Sequence, residues 1–111
     1  MLSITENGRG VRSMVAHIVM FWLKEKDNEP LLQETVEKLR GMDGKIPGLV
    51  SLRAGRDQGD SPRGCHVCLS TVLESWEALE TYQSHPAHLA VKAHMHAVME
   101  RSASADFEVE A

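Results

Sequence analysis

Imidazoles are the side chains best suited to moving a proton near neutral pH, because their ordinary pKa lies there. This chain has six of them. His88 is the best placed. From Pro86 onward His88, Val91, Met95 and Val98 recur at spacings of three and four, which is one face of a helix with His88 at its head. A ring on that face is drawn inward and needs a partner, since an unsatisfied buried donor costs about 1–3 kcal/mol. A carboxylate is available in the last strand candidate, residues 106–110 (DFEVE). Phe107 and Val109 share one side of it, and Asp106, Glu108 and Glu110 share the other. If the apolar pair is covered from outside, Asp106 faces the helices, and a His88–Asp106 hydrogen bond is expected.

Other residue patterns suggest chemistry that their spacing argues against. Cys65-His66-Val67-Cys68 has CxxC spacing. In a strand, positions i and i+3 project to opposite faces, so the two thiols cannot share one ion. A structural zinc also needs about four ligands. Leu69, not His, follows the second Cys, which excludes a haem-attachment motif. His94 and His96 lie two apart on a helix and do not face each other; His94 is expected in solvent and His96 at the edge of the stripe. The methionines read as flexible core filler. No GxGxxG, phosphate-binding loop or Gly-x-Ser-x-Gly is present, so nucleotide, dinucleotide and serine-hydrolase chemistry lack support. No metal and no cofactor are expected.

The elements that must position these residues follow from periodicity. Residues 15–23 (VAHIVMFWL) alternate as a strand, with His17, Val19 and Phe21 on one face and Ala16, Ile18, Met20 and Trp22 on the other. Both faces are mainly apolar, so each must be covered. Asn28 can cap a helix that begins with Glu29 and Pro30 and carries Leu32, Val36 and Leu39. Ile46-Pro47-Gly48 is a turn. Residues 49–56 and 65–73 read as strands separated by a polar loop. Ser75 can cap a short helix carrying Trp76, Leu79 and Tyr82; Pro86 opens the next; residues 102–105 read as a linker. The order is that of the ferredoxin-like βαββαβ plan, an α+β fold with an antiparallel sheet and helices on one face. Helices cover one sheet face only. A second copy of the chain is the economical cover for the other, giving a homodimer through the sheet faces.

A length of 111 residues suits one domain, here residues 14–111 behind a polar, disordered arm at 1–13. Hydrophobic residues make up 42% and charged residues 25%, as in an ordinary globular chain. The net charge of −4 argues against a nucleic-acid partner. No apolar run approaches the ~20 residues of a membrane span. With no signal-peptide core at the start, the cytoplasm is the expected location, where cysteines stay reduced.

Three segments carry a resemblance to a known family. They are His17-Ile18-Val19-Met20-Phe21, the run from Glu74 through Tyr82-Gln83-Ser84-His85-Pro86-Ala87-His88, and Asp106-Phe107-Glu108, with Ile46-Pro47-Gly48 also fitting. In this order they resemble the stress-responsive dimeric α/β-barrel (Dabb) family over about residues 14–110. The resemblance implies a ferredoxin-like protomer whose sheet packs on its partner's sheet to form a barrel. One branch, the olivetolic acid cyclases, works without a cofactor, and its catalytic Tyr, His and orienting Asp match Tyr82, His88 and Asp106, with His17 matching a further pocket His. Two departures stand out. A pocket His of that branch falls on Val67, with His66 on the opposite face, and the first helix here is aliphatic rather than aromatic. The polyketide substrate therefore does not carry over.

Together His17, Tyr82, His88 and Asp106 would line one cavity between sheet and helices and take a small organic molecule. His88 would be the general base, Asp106 would fix its tautomer, and Tyr82 would donate to a developing enolate oxygen. The chemistry would be cofactor-independent proton transfer on a carbonyl compound, of cyclase, isomerase or lyase type. Two alternatives stay open. One is a non-catalytic, stress-associated or structural dimer in which His88 and Asp106 merely tie helix to strand. The other is a cofactor-free monooxygenase of the related antibiotic-biosynthesis type.

Overall fold

A computed structural model describes residues 13–110. The expected arm at 1–13, apart from Ser13, lies outside them; Ser13 is the first residue of a strand. That strand, β1 (Ser13–Leu23), pairs antiparallel with two others. On one side lies β3 (Val67–Leu73), itself paired antiparallel with β2 (Leu49–Arg56); on the other lies β4 (Met99–Glu110). The sheet order is β2-β3-β1-β4. Helix α1 (Glu29–Arg40) crosses from β1 to β2, and α2 (Trp76–Ser84) with α3 (Pro86–Val98) from β3 to β4. This is the ferredoxin-like α+β fold expected from the order of elements.

The helix ends follow from local chemistry. The Asn28 side chain accepts from the Leu31 amide at 3.1 Å, and Ser75 does the same for Ala78 at 3.0 Å. Pro86 separates α2 from α3. It has no amide proton, and it pushes His85 into extended backbone (φ −68°, ψ 140°). His85 then caps α3 with its own ring, Nδ1 accepting from the Ala87 amide at 3.0 Å. Gly48, at φ +85°, forms the turn into β2, and a Cβ built there would sit 2.8 Å from the Ala78 Cβ on α2. Both the left-handed backbone and the helix contact require glycine.

The core lies between the helices and the inner sheet face, where Leu32, Val36 and Leu39 of α1 are buried in one cluster with Val15, Leu69 and Leu73. The α1 stripe faces inward as its spacing requires. Thr35, fully buried beside it, ties α1 to α3 through a 2.9 Å contact between Oγ1 and Nε2 of His94. His94 is thus half-buried and bonded, not in solvent as its helix position suggested. Among the described residues no helix lies on the outer sheet face. Met20 is 40% and Phe107 47% exposed there, beside Ala16, Ile18 and Trp22.

Two boundaries differ from the sequence reading. Residues 102–105, read as a linker, belong to β4, which begins at Met99 directly after α3 and pairs with β1 along its length. Backbone pairing to a complete neighbouring strand outweighs the weak strand propensity of Ser102, Ala103, Ser104 and Ala105. Strand β3 begins at Val67, not Cys65. Just before it, His66 Nδ1 accepts the Leu23 amide at 2.8 Å. Among the described residues no helix is long and apolar enough to cross a membrane.

Candidate functional site

Strand register sets the first contact. His17 on β1 stands directly opposite Asp106 on β4, so both side chains leave the same face of neighbouring strands. His17 Nδ1 lies 2.5 Å from Asp106 Oδ1. A carboxylate only accepts, so Nδ1 carries a proton, and the tautomer of the neutral ring that this favours has its lone pair on Nε2. His17 is only 6% exposed. Thr71 anchors the strand beneath it, its hydroxyl donating to the His17 carbonyl at 2.8 Å.

His88 is engaged differently from the expectation. Its Nδ1 donates to the Gln83 carbonyl at 3.0 Å, and the expected His88–Asp106 bond is not formed. The cause is local. The α2–α3 break frees carbonyls at the end of α2, and His88, one turn into α3, reaches the nearest. The Asp106 carboxylate meanwhile belongs by register to His17. His88 again has Nδ1 as donor, leaving Nε2 free. Burial is the main force holding its pKa below the ordinary 6.5; the charges of His17 and Lys92 push the same way, and the Gln83 bond opposes them.

Tyr82 joins the two imidazoles. Its ring centroid lies 5.7 Å from that of His17, edge-on, and 4.7 Å from that of His88, tilted. Tyr82 is fully buried, and its hydroxyl has no hydrogen-bond partner among the described residues. Burial pushes its pKa up to about 12, so the phenol stays protonated at any physiological pH. The four residues singled out from the sequence therefore form one contiguous cluster, with His17 rather than His88 paired to the carboxylate.

A cavity of about 470 Å3 opens beside this cluster, between α1, α3 and the sheet. Its volume suits a small organic ligand. Val19, Phe21 and Leu69 form its floor; Leu39, Met42 and Met95 form its walls. His17 and His88 line it, whereas Tyr82 and Asp106 stand behind them. Strand β4 adds the hydroxyls of Ser102 and Ser104, opposite Phe21 and Val19 in register. Their contribution was hidden in the sequence because the segment looked like a linker. Elsewhere, both cysteines are free; burial raises the pKa of each thiol, and Cys68 sits on the outer sheet face opposite Met20. Among the described residues no group of three or more His, Cys, Asp or Glu side chains could hold a metal ion.

Comparison with known proteins gives a family and a fold. The family model of the Stress responsive A/B Barrel Domain (Dabb) matches residues 15–109. An uncharacterized protein of Streptomyces coelicolor is 29% identical over 79 residues, covering 69% of this chain and 81% of that protein. A dimeric ferredoxin-like protein of unknown function from Thermobifida fusca superposes with a TM-score of 0.80 at 20% identity, over 87% of this chain and 92% of the other. A hydroxynitrile lyase from Passiflora edulis superposes with a TM-score of 0.75 at 15% identity, over 86% and 93%. At these identities the two structures show a shared fold.

Proposed function

The chain belongs to the stress-responsive A/B barrel (Dabb) family, and we propose that it binds a small carbonyl compound in the cavity between sheet and helices and moves a proton on it without a cofactor. The observation that carries this reading is the His17–Asp106 pair set into the cavity wall. Asp106 fixes the tautomer that leaves Nε2 of His17 as a base, the same logic as in a hydrolase triad. His17 takes the proton from the carbon next to the carbonyl. The C–H electron pair moves into the enolate, and Ser104, one inward position along β4 from Asp106, offers a hydroxyl to its oxygen. The proton returns from His17 to the same carbon after exchange with solvent, or to another carbon, which gives exchange or isomerisation; in ring closure the enolate carbon instead bonds to a second carbonyl carbon of the same molecule, and His17 gives its proton to the alkoxide oxygen that forms. Tyr82 braces both imidazoles from behind. The lyase on this fold from Passiflora edulis supports a lyase among the candidate reactions.

The protein acts as a homodimer through the outer sheet face in this reading. Ile18, Met20, Phe107 and Val109 are the covered residues, and the similar Thermobifida fusca protein is dimeric. Light scattering at micromolar concentration tests the assembly: a well-folded monomer would rule it out. The chemistry is tested by proton NMR in deuterated buffer on a panel of aryl and alkyl ketones. Accelerated loss of the α-proton signal for at least one member is expected; no acceleration for any member removes the catalytic reading.

A further inference from the structure

We propose that the ligand of this cavity is an anion, a monocarboxylate with an apolar body, and that Lys92 is the residue that selects it. The inference rests on the cavity's being the ligand site. Helix α3 presents His88, Lys92 and His96 to the cavity at positions i, i+4 and i+8, a basic ladder one turn apart. Val91 and Met95 run alongside on the inner part of the same helix face. The cavity therefore has an apolar interior and a polar edge whose formal charge is positive.

Among the described residues Lys92 is the one Lys or Arg that lines this cavity. The chain has four more acidic than basic side chains, yet among the described residues no Asp or Glu lines this cavity. The Asp106 carboxylate, behind the wall, is already bonded to His17. Lys38 and Arg56 have carboxylate partners, whereas Lys92 makes no ion pair or hydrogen bond among the described residues. It is close enough to His88 for its charge to be felt there. An ammonium group against an apolar cavity that lacks a counter-ion attracts an anion and disfavours a cation. The apolar floor and walls take the ligand body. The carboxylate lies at the open edge on Lys92, with His96 beside it. This orientation directs the body of the molecule, and any carbonyl it carries, toward His17.

The test compares benzoylpropionate with its primary amide, which has the same shape and no charge, by titration calorimetry on the full chain at pH 7.5. The carboxylate should bind on the order of fivefold more tightly, as for a partly exposed ion pair. The preference should shrink with added salt. In Lys92→Met the two should bind alike, with the amide unaffected, and Lys92→Arg should restore the preference. Equal binding of acid and amide to the wild type would overturn the anion proposal and leave the cavity as a ligand site. Binding of neither would overturn both. A preference that survives in Lys92→Met would assign the anion to another group and refute the role given to Lys92.

Discussion

Replacing Tyr82 by Phe should make the protein more stable, and the size of the gain follows from one atom. The phenol oxygen is fully buried with no partner among the described residues, while in the unfolded chain it is hydrated. Leaving such a group unsatisfied costs about 1–3 kcal/mol. Deleting it forfeits a few dispersion contacts of about 0.1–0.2 kcal/mol each. The net expectation is a gain of about 1 kcal/mol, which for a domain of this size raises Tm by about 4–8 °C. The ring contacts to His17 and His88 are retained by Phe. Alkaline pH gives a second readout. The folded pKa is raised to about 12 from an ordinary 10, so the folded state holds the proton longer. That contribution is complete below pH 10 and is lost as pH rises toward 12. The advantage of Tyr82→Phe should therefore widen over that range. Calorimetry at pH 7 and at alkaline pH checks both. A Tm lowered by several degrees at neutral pH would show that the hydroxyl has a partner, and would refute the reasoning.

Gly48→Ala should destabilise by about 1–3 kcal/mol, because a Cβ meets Ala78 at 2.8 Å on a backbone at φ +85°; urea denaturation measures it, and a change under 0.5 kcal/mol would contradict the packing. His88 has a folded pKa below its ordinary 6.5, so the unfolded state binds more protons in the interval between the two values. Its contribution is present above about pH 6.5 and is lost as pH falls; His88→Gln should flatten this acid limb of the Tm profile. NMR titration should show the His88 pKa rising toward its ordinary value in Lys92→Met, since one of the charges holding it down is gone. Ile18→Glu, which puts a charge on the outer sheet face, should give monomer or aggregate by light scattering.

The fold was readable because each of its elements carries a local signal. Asn28, Ser75 and Pro86 mark helix starts by chemistry that acts within a few residues. The alternation in β1 separates His17 and Phe21 from Met20 without reference to any partner strand. The start of β4 had no such signal. Ser102 and Ser104 become strand residues, and cavity residues, only because β1 offers them its open edge. The members of the polar cluster were also legible, but their pairing was not. Periodicity assigns Asp106 to the helix-facing side; only strand register, between residues 89 apart in the chain, decides that it meets His17 rather than His88. The His88–Gln83 bond had a local cue, the carbonyls left free where Pro86 breaks the helix. The Thr35–His94 contact had none, because it depends on how α1 and α3 cross.

The central claim is that His17, held by Asp106, is the base in the cavity. Its most direct test is the α-proton exchange rate of a responsive ketone, measured by NMR for the wild type, His17→Gln, Asp106→Asn and His88→Gln, each confirmed folded by circular dichroism. A positioned base contributes about 10²–10⁴-fold. His17→Gln should therefore lose the acceleration. Asp106→Asn should lose most of it, because an amide can donate to Nδ1 and favour the other tautomer. His88→Gln should retain a measurable rate. Full activity in His17→Gln, with loss confined to His88→Gln, would contradict the account and move the base to α3.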